Sequence, residues 1–291
     1  MTSPTYTVII PHYNSPHLLK RCLDSIPERN DIQVIVVDDC SQPEQFAQRP
    51  GRGSAYTEIY QTPQGGSAGR ARNIGLEHAK GKWLLFADAD DFFMSEAWEI
   101  FDDYANSEYD IIYFQYTSAD SNTLMPNDRQ KVYGGYFDAY FANPTKYTLD
   151  HLRYRHDIPW GKMIRRSMVE ANRIVFGETR YCNDTLFSTR TALASQSVCV
   201  EKRPVYCVTS DSSSLTHQKS GEALLIRLDV LLTKNQLLRQ HGLSEHQPTI
   251  LFYFREALSY GMKTFISAVR LAYRHHTPLT MIYVYSRLYK N

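Results

Sequence analysis

The sequence predicts an α/β protein: a domain built on a parallel sheet with helices packed on it, followed by a helical appendage. Three observations predict it. Short apolar runs at residues 7–10, 32–37 and 83–87 have the length and composition of buried strands. A segment of helical period at 15–26 lies between the first two, which is the order of a βαβ unit and therefore of a parallel pairing. After Thr216-His217 the pattern changes to long helical segments of mixed aromatic and basic content.

Taken in order, the first strand is closed by Pro11. Ser15 followed by Pro16 is an N-cap with proline at the first helical position, and Leu18, Leu19, Cys22, Leu23 and Ile26 then recur at helical spacing. The second strand ends in acid, Asp38-Asp39-Cys40-Ser41. Residues 42–54 read as loop and 56–60 as a third strand. The next helix opens near Ser67 and is expected to stop at Gly81, where glycine supplies a left-handed cap. The strand at 83–87 runs into Asp88-Ala89-Asp90-Asp91. Ser95 opens a helix to about Ala105, 110–116 is strand-like, and 117–146 reads as polar loop with interleaved aromatic residues. Ser167-Met168-Val169-Glu170 has the form of a capping box. Asn183-Asp184 opens a helix over 185–194, residues 198–208 are strand-like around Pro204, and 221–241 is a long helix closed by Gly242.

With 291 residues the chain can bury a substantial core. A net charge of +1 provides no global field that favours nucleic acid, and none is expected as a partner. The five cysteines are scattered and lack a CxxC spacing, which argues against a disulfide framework or thiolate zinc site and fits a reducing compartment. No basic and apolar leader precedes the first strand, and no uncharged run is long enough to span a bilayer. A soluble, cytoplasmic protein is expected.

Ligands of open α/β sheets bind outside the carboxyl ends of the strands. Both acid-tipped strands present carboxylates there. Residues two apart in extended chain point to one side, so Asp88 and Asp90 can face one point, and like charges this close call for a compensating cation. A divalent ion held by carboxylates and completed by substrate phosphates suits them. Between the two strands runs a glycine-rich turn into a helix, Gly65-Gly66-Ser67-Ala68-Gly69-Arg70-Ala71-Arg72-Asn73-Ile74-Gly75, whose arginines can meet phosphate near a helix N-terminus. The turn lacks the Gly-Lys-Ser/Thr ending of a P-loop and is not a GxGxxG after the first strand.

Val8-Ile9-Ile10-Pro11-His12-Tyr13-Asn14, Val36-Val37-Asp38-Asp39-Cys40-Ser41, Ala71-Arg72-Asn73-Ile74-Gly75-Leu76 and Phe86-Ala87-Asp88-Ala89-Asp90-Asp91, in this order, resemble the signature of family 2 glycosyltransferases over residues 6–217. The resemblance implies the GT-A fold, a Rossmann-like, mixed and mostly parallel sheet flanked by helices. It implies a nucleotide-sugar site at Pro11, Tyr13, Asp38, Asp39, Arg72, Asp88 and Ala89, with Asp39 at the base. It makes Asp88-Ala89-Asp90 a DxD motif, with Asp90 as principal ligand of Mn²⁺ or Mg²⁺ and His217 as a further metal or diphosphate contact. Asp184 stands where the family has its base, and Trp160, in Trp160-Gly161-Lys162, falls in the acceptor-side segment. Cys40 stands where glycine is common, and Asn183 where glutamate is more usual. Independently of the family, an aspartate at a helix start is commonly a cap, and a tryptophan is commonly core.

The expectation is therefore an inverting, metal-dependent transferase moving a sugar from a nucleotide-sugar donor, UDP-linked, to a glycan or lipid-linked glycan acceptor in surface polysaccharide synthesis. A sugar-nucleotidyltransferase would need a glycine-rich, lysine-containing loop after the first strand, where His12-Tyr13-Asn14-Ser15-Pro16 stands. A non-catalytic nucleotide-sugar-binding subunit would not need the acids. Residues 1–217 are expected to form the catalytic domain and 218–291 a C-terminal helical region. There Leu251, Phe254, Leu258, Met262, Phe265 and Val269 form an apolar stripe, with Arg255, Lys263, Arg270 and Arg274 broadly opposite. That pattern reads either as a helix packed on the catalytic domain or as peripheral contact with an anionic membrane.

Overall fold

The computed structural model describes residues 3–51, 56–210 and 219–277. Its elements run β1 (Tyr6–His12), α1 (Pro16–Asp24), β2 (Ile32–Asp38), α2 (Pro43–Ala47), β3 (Thr57–Gln61), α3 (Ala68–His78), β4 (Trp83–Phe86), β5 (Phe92–Phe93) and α4 (Ala97–Tyr104). They continue with β6 (Ile111–Asp120), α5 (Lys131–Ala142), α6 (Lys146–Arg155), β7 (Lys162–Arg165), α7 (Arg166–Ala171), α8 (Thr185–Ala194) and β8 (Val198–Ser210). Three helices end the described chain: α9 (Gly221–Gln240), α10 (Leu251–Ser259) and α11 (Met262–Arg274).

Among the described residues eight strands form one mixed sheet, in the order β3-β2-β1-β4-β7-β6-β8-β5. The β3-β2-β1-β4 half is parallel throughout, and the β7 strand that joins it to the other half is antiparallel to both neighbours. Both β1 and β2 are buried along their whole length. This is why they read as continuous apolar runs instead of alternating ones. The strand exits of β1, β2 and β4 therefore lie side by side, and the two acid clusters with them.

Several expectations are corrected. Residues 131–142 are a helix, although Gly134 and Gly135 each cost about 1 kcal/mol in a helix interior. Its fully buried Phe137, packed edge-on against Tyr116 and His156, supplies what propensity lacks. The capping box is not at Ser167, for α7 starts without a side-chain cap; it lies at α6, where Thr145 and Thr148 cap each other's backbone N–H at 3.0 and 3.2 Å. α3 stops at His78 with Ala79 extended, short of Gly81. Gly81 is needed for another reason: a Cβ there would sit 2.5 Å from the backbone of Tyr6 and Thr7.

The C-terminal stripe is also redistributed. Gly261, at φ +100°, breaks it into α10 and α11. Leu224, Leu228 and Leu232 of α9, Phe254 and Ala257 of α10, and Ala268 and Ala272 of α11 make a small core of their own. That core is tied to the first part of the chain by Lys234 of α9, whose buried Nζ reaches both carboxylate oxygens of Asp157 at 2.5 and 2.7 Å. The division expected at residue 217, like His217 itself, lies outside the described residues.

Candidate active site

At the exit of β2 the chain turns through Cys40, held at φ +59°. Asp38 is fully buried beneath this turn. It accepts from Ser41 N (2.9 Å) and Ser41 Oγ (2.6 Å) and pairs with His12 Nδ1 at 2.9 Å, while His12 Nε2 accepts from Ser15 N at 3.2 Å. The expected nucleotide contact at Asp38 is thus a buried support, because every face of its carboxylate is taken by protein. Asp39 points the other way, accepting from Thr62 Oγ1 at 2.9 Å and from Gly66 N at 3.1 Å. That second bond ties the glycine-rich turn to the acid. Pro11 is buried in β1, whereas Tyr13 stands 56% exposed beyond its end.

The glycines in this stretch serve packing. A Cβ at Gly69 would lie 1.9 Å from the carbonyl oxygen of Gly177, and one at Gly75 2.4 Å from Ile9 Cγ2. α3 is thereby pressed onto β1 and against the loop before α8. Its N-cap Ser67 accepts from Arg70 N at 3.3 Å. Arg70 pairs with Glu178 at 2.9 Å.

Arg72 is the joint of the site. Its buried guanidinium donates to Asn183 Oδ1 at 2.8 Å and to Asp88 Oδ1 at 2.5 Å, across 111 and 16 residues of sequence. Expected beside the nucleotide, it is in this structure a brace between the exit of β4 and the start of α8. Asn183, the departure from glutamate, suits this position: its amide oxygen takes one prong of the fork.

At the exit of β4 the acids meet different surroundings. The amide of Asp88 donates to the hydroxyl of Tyr206 at 2.9 Å. Asp91 is buried, accepting from Tyr206 Oη at 2.9 Å and Thr209 N at 2.6 Å, and burial with the neighbouring Asp90 and Asp88 pushes its carboxyl well up. Asp90 is exposed. The protein crowding it, together with Asp88, pushes its carboxyl up to about 6, and no side chain among the described residues pairs with it. Arg21 and the hydroxyl of Thr209 hold only its backbone carbonyl, Thr209 at 2.7 Å. Ala89 between them is buried. The described residues contain no cluster of three or more His, Cys, Asp or Glu that could hold a metal ion. Even so, the donor set fits a hard divalent cation: hard carboxylate oxygens, one of them without a side-chain partner among the described residues.

Asp184 is the N-cap residue of α8, yet its side chain makes no capping hydrogen bond. Burial pushes its carboxyl up to about 6, Arg72 opposing and Asp157 adding to the rise. Behind it lies a buried charge group that sequence reading did not assemble. Lys162 at the start of β7 donates to the carbonyl of His156 at 2.9 Å, and burial brings its ammonium down to about 7 against the pull of Asp157 and Asp184. A lysine entering the apolar run Met163-Ile164, and another inside the apolar stretch of α9, were the available signals. Tyr206 and Arg21 gave none, since their roles depend on β8 and α1 meeting the β4 exit.

Trp160, expected in the acceptor-side segment, packs as a core residue. It is 6% exposed, stacked on Tyr206 at 5.2 Å and 17° and flanked by the edge of Tyr116 at 4.8 Å. Its ring is committed to the core.

A family model described as glycosyl transferase family 2 matches residues 7–173. A putative glycosyltransferase, EpsH, of Bacillus subtilis (strain 168) is 27% identical over 83% of this chain and 73% of its own length. The poly(ribitol-phosphate) beta-N-acetylglucosaminyltransferase TarS of Staphylococcus aureus (strain Mu50) is 33% identical over 98 residues, 31% of this chain and 17% of its own. Among solved structures, residues 1–349 of S. aureus TarS in complex with UDP-GlcNAc superpose with a TM-score of 0.59 at 18% identity, covering 97% of this chain and 92% of that one. The mannosyltransferase PcManGT of Pyrobaculum calidifontis, in complex with GDP-Man and Mn²⁺, superposes with a TM-score of 0.58 at 15% identity, covering all of this chain and 82% of that one.

Proposed function

The chain belongs to glycosyl transferase family 2 and is a glycosyltransferase of the GT-A fold, and from that premise we propose an inverting sugar transfer from a UDP-linked donor to a glycan or lipid-linked glycan. The observation that carries the reading is the Arg72 brace. It joins the DxD turn to the helix start that bears Asp184, so that a donor-side acid pair and a separate carboxylate share one strand-exit face. Direct displacement at an anomeric carbon needs that separation. A bond forms from the acceptor hydroxyl oxygen to the anomeric carbon as the bond from that carbon to the diphosphate oxygen breaks, and the configuration inverts. The hydroxyl proton passes to the Asp184 carboxylate as general base.

Asp39, Tyr13 and the Gly66 turn are the proposed base and ribose side. Asp90 with Asp88 would hold Mn²⁺ or Mg²⁺, which when bound supplies Lewis-acid neutralisation of the leaving diphosphate. The named relative TarS, a poly(ribitol-phosphate) beta-N-acetylglucosaminyltransferase, and the nucleotide sugars in the superposed structures support a nucleotide-sugar donor and a polymer acceptor.

The test is a panel of UDP- and GDP-sugars with and without Mn²⁺, scored by transfer and by donor hydrolysis, on the native chain and on Asp184→Asn. The substitution should lower turnover roughly 10³-fold while nucleotide affinity, by calorimetry, stays within about twofold. Turnover of the native enzyme should rise with pH through about 6, because Asp184 accepts a proton only once its own has left. Full activity of Asp184→Asn would end the assignment.

A further inference from the structure

α11 carries two apolar faces. Phe265, Ala268, Leu271 and Ala272 face the small core with α9 and α10. Met262, Ile266, Val269 and Tyr273 recur at steps of four, three and four, the spacing of a single stripe, and are 38% (Val269) to 84% (Tyr273) exposed. Phe252 and Leu258 of α10 add exposed apolar surface at 62% and 50%. At about 100° per residue, Lys263, Arg270 and Arg274 line one edge of the stripe, and all three are exposed. Residues 257–291 contain five Lys or Arg and no Asp or Glu, against a net charge of +1 for the whole chain. Of the acids on the neighbouring helices, Glu222 and Asp229 stand on α9 and Glu256 on α10, and Asp229 is occupied by His275 at 2.7 Å.

An exposed apolar stripe with a one-sign margin selects its partner by charge. A second copy docked face to face and antiparallel would set Lys263, Arg270 and Arg274 against their own equivalents, which like-charge repulsion opposes. An anionic lipid surface meets both features: apolar side chains enter the headgroup–acyl boundary while the cations stay at the phosphates. No helix among the described residues is long and apolar enough to cross a membrane, so the contact is one of lying on the surface. We propose that the outward face of α11 binds an anionic phospholipid surface, Met262, Ile266, Val269 and Tyr273 inserting and Lys263, Arg270 and Arg274 contacting lipid phosphate. This goes beyond the transferase reading and stands independently of it.

The test uses the full chain and sucrose-loaded vesicles, either phosphatidylcholine alone or with about a third phosphatidylglycerol. Sedimentation should require the anionic lipid and weaken with salt. Ile266→Glu with Val269→Glu should weaken binding roughly tenfold or more, and Lys263→Glu with Arg270→Glu should do so while removing most of the salt dependence. These side chains are exposed, so circular dichroism and melting temperature should stay unchanged and separate lost binding from lost fold. Absence of binding to the anionic vesicles overturns the proposal. So does equal binding by the Ile266→Glu/Val269→Glu chain, or a concentration-dependent dimer, by light scattering, that this double substitution abolishes.

Discussion

β2 and β4 both end in acid at the same edge of the same sheet, and the two acid turns are built on opposite principles. The β2 turn is closed by protein. Asp38 is saturated by Ser41 and His12, and Asp39 is held in place by Thr62 and Gly66, so both acids have protein partners. The β4 turn is left under-neutralised. Arg72 answers Asp88, but Asp90 stands unpaired with its carboxyl pushed up to about 6 and Asp91 is pushed up beneath it. Identical residues at equivalent places in the topology thus do different work. One turn is a rigid wall, and the other leaves a carboxylate without a side-chain partner among the described residues.

Breaking the brace should have the largest effect. Arg72→Met leaves Asp88 and Asn183 without their shared donor in a mostly buried setting and should cost about 3 kcal/mol in urea unfolding, with transfer activity lost. The same conservative change at the two turns should then have opposite signs. Asp38→Asn puts an NH₂ group where Ser41 or His12 donates and should destabilise by about 2 kcal/mol. Asp90→Asn should stabilise the metal-free chain by about 0.5–1 kcal/mol, a figure kept small because water reaches the group, and should abolish the rise in melting temperature on adding Mn²⁺. Equal signs at the two turns would break the contrast.

The pH dependence follows from the same asymmetry. Asp90 and Asp184 keep their protons to about pH 6 in the folded chain, above the ordinary aspartate range near 4. Their contribution to stability is therefore fullest below that range and falls as pH rises through 4 to 6, the reverse of an ion-paired carboxylate. Asp90→Asn should flatten part of that slope. The smallest effect belongs to Cys40→Gly. Cys40 holds a left-handed conformation at φ +59°, and glycine there should stabilise by about 0.5–1 kcal/mol, less the lost thiol contact with Thr62.

Much of this was legible in the residues. Strands β1, β2 and β4 were read from apolar runs because a strand buried on both faces needs no partner to be recognised. The acids at their exits and the helix start at Asp184 were read for the same local reason. Residues 117–155 were not. The Gly134-Gly135 pair argues against α5, and only the packing of Phe137 against Tyr116 and His156 overrules it. The Ser167 capping box failed because Lys82 O already accepts Arg166 N, and α7 starts two residues early, with Arg165 at the N-cap position.

The sequence by itself determined the family, the parallel strands β1, β2 and β4, and the identity of every acid at their exits. These are carried by short segments whose periodicity and composition act within a few residues. Only the tertiary structure decided what each acid does: that Asp38 is sealed and Asp90 open, that Arg72 is a brace, that Trp160 is core, and that Lys234 of α9 anchors beside Asp157. Most of those assignments depend on distant contacts, Arg72 with Asp88 and Asn183 across 16 and 111 residues and Lys234 with Asp157 across 77, and no local pattern encodes which distant side chain will arrive to complete a buried charge.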